Sequence, residues 1–88
     1  MNKHINVKIS GRVQGVGFRW SAYEKFVELG LVGKAENTPE RGVLVDTEGP
    51  EDKLHLLVEW CRIGPTGAKV ENVEVVEVSE PFVSLKMG

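Results

Sequence analysis

Gly11 to Arg19 reads Gly-Arg-Val-Gln-Gly-Val-Gly-Phe-Arg, and the rest of the chain is read outward from it. Before it, His4 to Ser10 alternates: Ile5, Val7 and Ile9 share one face, and His4, Asn6, Lys8 and Ser10 the other. That is the pattern of a half-buried strand. After it, Phe18, Ala22, Phe26 and Leu29 recur near helical spacing with Tyr23 beside them, and Glu24, Lys25 and Glu28 take the opposite side. That is an amphipathic helix, with Gly30 as its expected stop. Gly11, Gly15 and Gly17 therefore join a strand to a helix N-terminus, with Val13 and Val16 expected to tuck inward. Such a junction aims several backbone N–H groups at one spot, where the helix dipole also favours negative charge. Arg19 adds a planar, permanent charge in the first helical turn. The stretch reads as an anion cradle, and phosphate is the best fit. Trp20 lies off the apolar stripe and is expected to be a partly exposed packing residue rather than a stacking platform.

Leu31 to Asn37 is a weaker strand with Leu31, Gly33 and Ala35 on one face. Thr38-Pro39-Glu40-Arg41-Gly42 is a turn: Pro39 presets its backbone angle and Gly42 is expected at a left-handed position. Val43, Val45 and Thr47 then alternate with Leu44, Asp46 and Glu48 as the hairpin partner. Gly49-Pro50-Glu51-Asp52 opens a second helix, with Pro50 at the first position and acids in the first turn. Leu54, Leu57, Val58 and Cys61 form its buried stripe, Leu56, Trp60 and Ile63 widen it, and Gly64-Pro65 ends it. Ala68 to Ser79 is a long strand in which Val73 and Val75 share one phase, and Val76 and Val78 the other. A bulge or a change of burial is expected there. Phe82 to Met87 alternates as a short last strand. The order implies an α+β fold, a ferredoxin-like two-layer sandwich of βαββαβ plus a short C-terminal strand. Two helices cover one face of a mainly antiparallel sheet, in one domain spanning residues 1–88.

The totals restrict the function. The chain has 88 residues, 41% hydrophobic and 27% charged, which suits one globular core rather than disorder. A formal charge of −2 and scattered basic residues argue against nonspecific nucleic-acid binding. The lone Cys61 excludes an internal disulfide and any multi-cysteine metal site, and reads as a small core residue. His4 and His55 are far apart and are expected to face solvent. No apolar run is long enough to cross a membrane, and Met1 to Ser10 lacks the apolar centre of a signal peptide. A cytoplasmic monomer is expected, with no metal and no cofactor.

Known phosphate motifs separate at this loop. The Walker pattern requires Gly-Lys-Ser/Thr where this chain has Gly17-Phe18-Arg19, and the dinucleotide pattern requires glycine where Trp20 stands. An RNA-recognition sheet would carry aromatics in its central strands, and His4 to Ser10 and Val43 to Glu48 have none. Gly11 to Arg19 instead resembles the first signature of the acylphosphatase family: Gly, any residue, Val-Gln-Gly-Val, any residue, Phe or Tyr, Arg. Every specified position is met. Gly33, Ala35, Asn37, Val43 and Gly49 fill the places of a second signature, and Trp60 to Val75 is similar to the family's second-helix exit and fourth strand. The chain departs from the family pattern at Lys34, where an aromatic is usual. It departs again at Glu36, where a basic or long polar residue is preferred, and at Arg41, which occupies the place of the hairpin glycine.

The resemblance implies hydrolysis of acyl phosphates, mixed anhydrides of a carboxylic acid and phosphate. It implies that Arg19 grips the phosphate, that the backbone of Gln14, Gly15, Val16, Gly17, Phe18 and Arg19 forms the phosphate-binding loop, and that Asn37 orients the attacking water. The expected partners are a small-molecule acyl phosphate and inorganic phosphate or a similar anion, with no nucleic acid and no membrane. Gln14 is expected to bond its side chain within the loop. Neither motif offers an obvious general base, since Glu36 points opposite to Asn37 in a regular strand. The competing reading is a noncatalytic anion-binding regulatory module on the same fold. A domain of a larger carbamoyl-transfer maturation factor is disfavoured by a chain that reads as one domain.

Overall fold

In the computed structural model, which describes residues 2–82, the alternation of Ile5, Val7 and Ile9 becomes β1 (Asn2–Arg12). It is followed by α1 (Phe18–Leu29), β2 (Val32–Asn37), β3 (Val43–Pro50), α2 (Glu51–Cys61) and β4 (Lys69–Val78). The four strands form one sheet in the order β2-β3-β1-β4, and every neighbouring pair is antiparallel. This is the expected ferredoxin-like βαββαβ sandwich. Of the short last strand, Phe82 lies outside any strand and residues 83–88 fall outside the described residues.

The topology follows from two split crossovers. β1 and β2 are both antiparallel to β3, so they run parallel to each other with β3 between them. β3 and β4 are parallel in the same way around β1. A helix bridges each parallel pair, α1 lying against β2 and α2 over β3 and β1. The core between the layers holds Ile5, Val7 and Ile9 of β1 and Val43 and Val45 of β3. Phe18, Ala22 and Phe26 of α1 and Leu54, Leu57 and Cys61 of α2 face them. Thr47 is fully buried, and its hydroxyl donates to the Val32 carbonyl at 2.7 Å, so this buried hydroxyl is satisfied. Cys61 sits deep in this core, and burial pushes its thiol up to about 12, which makes it inert.

Several local expectations change. Pro50 ends β3 in an extended conformation and caps α2, so Glu51 is the first helical residue. Leu56 and Ile63 are exposed rather than core-facing, whereas Trp60 packs its ring on Phe18 with centroids 5.2 Å apart. The irregularity in β4 lies at Glu71: Gly11 pairs with Val70 and Ser10 with Asn72, leaving Glu71 as the extra residue. That single insertion turns both Val70 and Val73 toward the core. Val75 and Val76 keep a regular register and are both substantially exposed, because β4 is an edge strand.

His4 does not face solvent. Its side chain is only 10% exposed, on the sheet face away from the helices, with one ring nitrogen on the Asp46 carboxylate and the other on the Glu80 carbonyl. Both nitrogens meet acceptors, so the doubly protonated ring fits best. Burial alone would lower its pKa. The bonds to Glu80 and Asp46 oppose this and raise it above its ordinary value. Beside it, the Phe82 N–H donates to Glu48 at 2.6 Å, and the two rings meet edge to face. A raised folded pKa stabilises fully below the unfolded histidine value of about 6.5 and is lost as pH climbs through the folded value. The stability difference between wild type and His4→Gln, measured by urea unfolding, should therefore shrink as pH rises from about 6 to about 9. A difference that stays constant over that range would remove the charged-histidine assignment.

Candidate active site

The parallel relation of β1 and β2 brings the loop Val13–Gly17 and Asn37 to the same end of the sheet. Val43 sits between them in register, paired with Ile9 on one side and Asn37 on the other. Two strand spacings, about 10 Å, therefore separate the end of β2 from β1. Asn37 shares the sheet face of Ala35 and Val43, which is the helix side, where the loop enters α1. Glu36 points the other way and pairs with Lys34 at 3.1 Å, as strand alternation predicts.

The loop is anchored at both ends by buried side chains, Val13 and Phe18, with Val16 partly buried between them. Gly15 and Gly17 both hold φ at 78°, a left-handed angle that side chains disfavour. Gly17 caps α1 without a side-chain hydrogen bond, and the first turn contains no acidic residue. The first helical bond runs from the Ser21 N–H to the Gly17 carbonyl at 3.0 Å, so the N–H groups of Phe18, Arg19 and Trp20 precede the intrahelical ladder. Among the described residues, none of the ion pairs involves Arg19. Its charge is not engaged in holding α1.

These groups converge on one open cleft of about 320 Å³, lined by Gly15, Gly17, Phe18, Arg19 and Asn37. Val13, Trp20 and Tyr23 complete its walls. Of the loop residues expected from the sequence, Gln14 and Val16 do not line this cleft. Trp20, off the apolar stripe as expected, is 72% exposed and lines the cleft. Tyr23, beside the apolar stripe of α1, also lines the cleft. Its hydroxyl accepts the Ala35 N–H at 3.2 Å, tying α1 to the edge of β2. Helical geometry carried the signal for Trp20: at 100° per residue it stands roughly 200° from Phe18, away from the buried ridge.

Gln14 also differs from expectation. Its amide reaches out of the loop and donates to the Thr38 carbonyl at 3.0 Å and the Gly42 carbonyl at 2.8 Å. The hairpin it holds is closed by Arg41 N–H to Thr38 carbonyl (3.1 Å), Thr38 N–H to Gly42 carbonyl (2.9 Å) and Gly42 N–H to the Thr38 hydroxyl (3.0 Å). Arg41, not Gly42, adopts the left-handed conformation, with φ at 70°. Gly42 is required for a different reason: a Cβ there would come within 2.5 Å of the Ile9 carbonyl oxygen. The displaced hairpin glycine thus leaves the turn intact and shifts the strain onto Arg41.

The acylphosphatase family profile matches residues 5–83. The chain belongs to the acylphosphatase family. It is 51% identical over 67 residues to an acylphosphatase from Thermus thermophilus, covering 76% of each chain. It is 42% identical over 74 residues to one from Caldanaerobacter subterraneus subsp. tengcongensis, covering 84% of this chain and 82% of that one. The solved acylphosphatase of Coxiella burnetii superposes with a TM-score of 0.88 at 35% identity, covering 97% of this chain and 93% of the other. Among the described residues no group of three or more histidine, cysteine or acidic side chains is placed to hold a metal ion, and no helix is long and apolar enough to cross a membrane.

Replacing Arg41 by glycine should relieve the left-handed strain and raise unfolding stability by about 1 kcal/mol. A destabilised Arg41→Gly would mean that the guanidinium or its stem holds the hairpin. Gln14→Ala removes two hydrogen bonds to carbonyls that each keep one other partner. It should lower stability by about 1–2 kcal/mol in denaturant titration.

Proposed function

We propose that the chain is an acylphosphatase, hydrolysing the carboxyl-phosphate bond of acyl phosphates to a carboxylate and inorganic phosphate. One observation supports this above the others: a single cleft holds a helix N-terminus without a side-chain cap, an arginine that no ion pair engages among the described residues, and an asparagine from a separate strand. The phosphoryl group sits against the N–H groups of the loop from Gln14 to Arg19. Hydrogen bonds from neutral donors to such a charged acceptor are worth roughly 1.5–3 kcal/mol each. The Arg19 guanidinium takes two phosphate oxygens and offsets the charge that spreads over them in the transition state.

Asn37 orients the water, its carbonyl oxygen accepting from the water while its NH₂ donates to a phosphate oxygen. The water oxygen bonds to phosphorus, the bond to the bridging oxygen breaks, and the carboxylate departs with that electron pair. Carboxylate is a good leaving group, so no strong base is required, and a phosphate oxygen accepts the proton of the water. Glu36, on the opposite sheet face, is excluded from that role by its direction. The protein acts as a cytoplasmic monomer, the cytoplasmic part of that reading supported by its free, buried thiol.

Hydrolysis of benzoyl phosphate by wild type, Arg19→Ala and Asn37→Ala tests the assignment. Arg19→Ala should lower kcat/KM by about 100-fold or more. Asn37→Ala should lower kcat by about 100-fold and, with one phosphate donor gone, weaken competitive inhibition by inorganic phosphate by only about tenfold. Turnover that survives in either variant refutes the role given to that residue. A wild type that binds phosphate without turnover, as the noncatalytic module would, sinks the enzyme reading. Activity abolished by a chelator would call for a metal that the mechanism does not use.

A further inference from the structure

We infer that Trp20 and Tyr23 form an acyl subsite that selects acyl phosphates carrying an aromatic or extended apolar acyl group. This rests on the phosphohydrolase reading and adds a substrate class to it. The lining of the cleft is chemically mixed: the loop glycines, Arg19 and Asn37 suit an anionic head, and Val13 with the rings of Trp20 and Tyr23 supplies apolar surface beside them. Arg19 is the only charged side chain among the lining residues, so once the phosphoryl group engages it, no charged group remains for the acyl end.

Trp20 is the feature that needs explaining. An indole gains most from burial, yet this one is 72% exposed on the residue directly after Arg19. The other aromatic rings of the helix layer are paired: Phe18 with Trp60 at 5.2 Å and Tyr23 with Phe26 at 5.5 Å. Among the described residues Trp20 pairs with no ring. Tyr23 stands three residues further along α1, one turn away on a neighbouring face, and is 43% exposed. Its hydroxyl is engaged by the Ala35 N–H and its ring is braced by Phe26, so it presents a fixed surface. The loop side of the cleft is open, because a Cβ placed on Gly15 or Gly17 would meet nothing within 4 Å. A ligand with an anionic head and a flat apolar tail fits that arrangement; an acetyl group is too short to cover the indole.

The experiment separates the subsite from the chemistry. The kcat/KM ratio of benzoyl phosphate to acetyl phosphate is compared in wild type, Trp20→Ala and Trp20→Phe. Taking the ratio cancels any change in phosphate handling. It should fall about tenfold in Trp20→Ala, chiefly through KM for benzoyl phosphate, and recover in Trp20→Phe. In parallel, binding of phenacylphosphonate and acetonylphosphonate is measured by calorimetry. In these a methylene replaces the bridging oxygen, so neither can be hydrolysed. The phenyl ligand should bind about tenfold more tightly in wild type and lose that advantage in Trp20→Ala. A ratio unchanged by Trp20→Ala, or equal affinities for the two phosphonates in wild type, overturns the subsite. A wild type that hydrolyses neither acyl phosphate but still prefers the phenyl ligand would refute the hydrolase reading and leave the subsite standing.

Discussion

The two hydrogen bonds of the Gln14 amide hold the candidate site together. They join a loop that follows β1 to a hairpin that follows β2, across a gap that sheet pairing alone does not close. Everything needed in the cleft hangs on one side or the other of that bridge: the helix N-terminus and Arg19 on the loop side, Asn37 on the hairpin side. The same hairpin is pressed so closely on β1 that Gly42 has no room for a side chain. Loop, hairpin and central strand thus behave as one body. Preorganisation of that kind lets a static arrangement favour a transition state, since nothing has to be assembled at the moment of reaction.

Local pattern carried much of this into the sequence. Alternation in β1 and β3 and the apolar stripes of both helices were legible because each face meets one layer and one layer only. Gly11 to Arg19 was legible because its spacing is dense and its neighbours fix it between strand and helix. Asn37 could be assigned through the family resemblance, and its direction follows from simple strand alternation with Glu36.

What escaped depends on contacts between distant segments. Nothing near His4 announces that Asp46 and the chain at Glu80 will meet its two nitrogens. The reach of Gln14 to Thr38 and Gly42 spans 24 and 28 residues of chain. The valines of β4 suggested a phase change, but its place, at Glu71, is set by pairing with the end of β1. Arg41 shows a subtler failure. Turn chemistry favours glycine in the left-handed position, yet the close packing of the next residue on Ile9 reserves glycine for that residue instead. Steric exclusion outweighed backbone preference by one position along the chain.

The missing cap of α1 has a consequence beyond chemistry. A helix whose first N–H groups lack a side-chain partner is a fold left unfinished at one point. On the proposed function, an anion seated there would complete it, serving the protein as a structural part while it serves the reaction as a ligand. Stability and occupancy would then be one linked quantity, the folded state becoming more persistent as the anion becomes more abundant. The released phosphate would keep that capping ability. Product inhibition and product stabilisation would therefore be two readings of the same helix N-terminus, inseparable by any substitution that caps it.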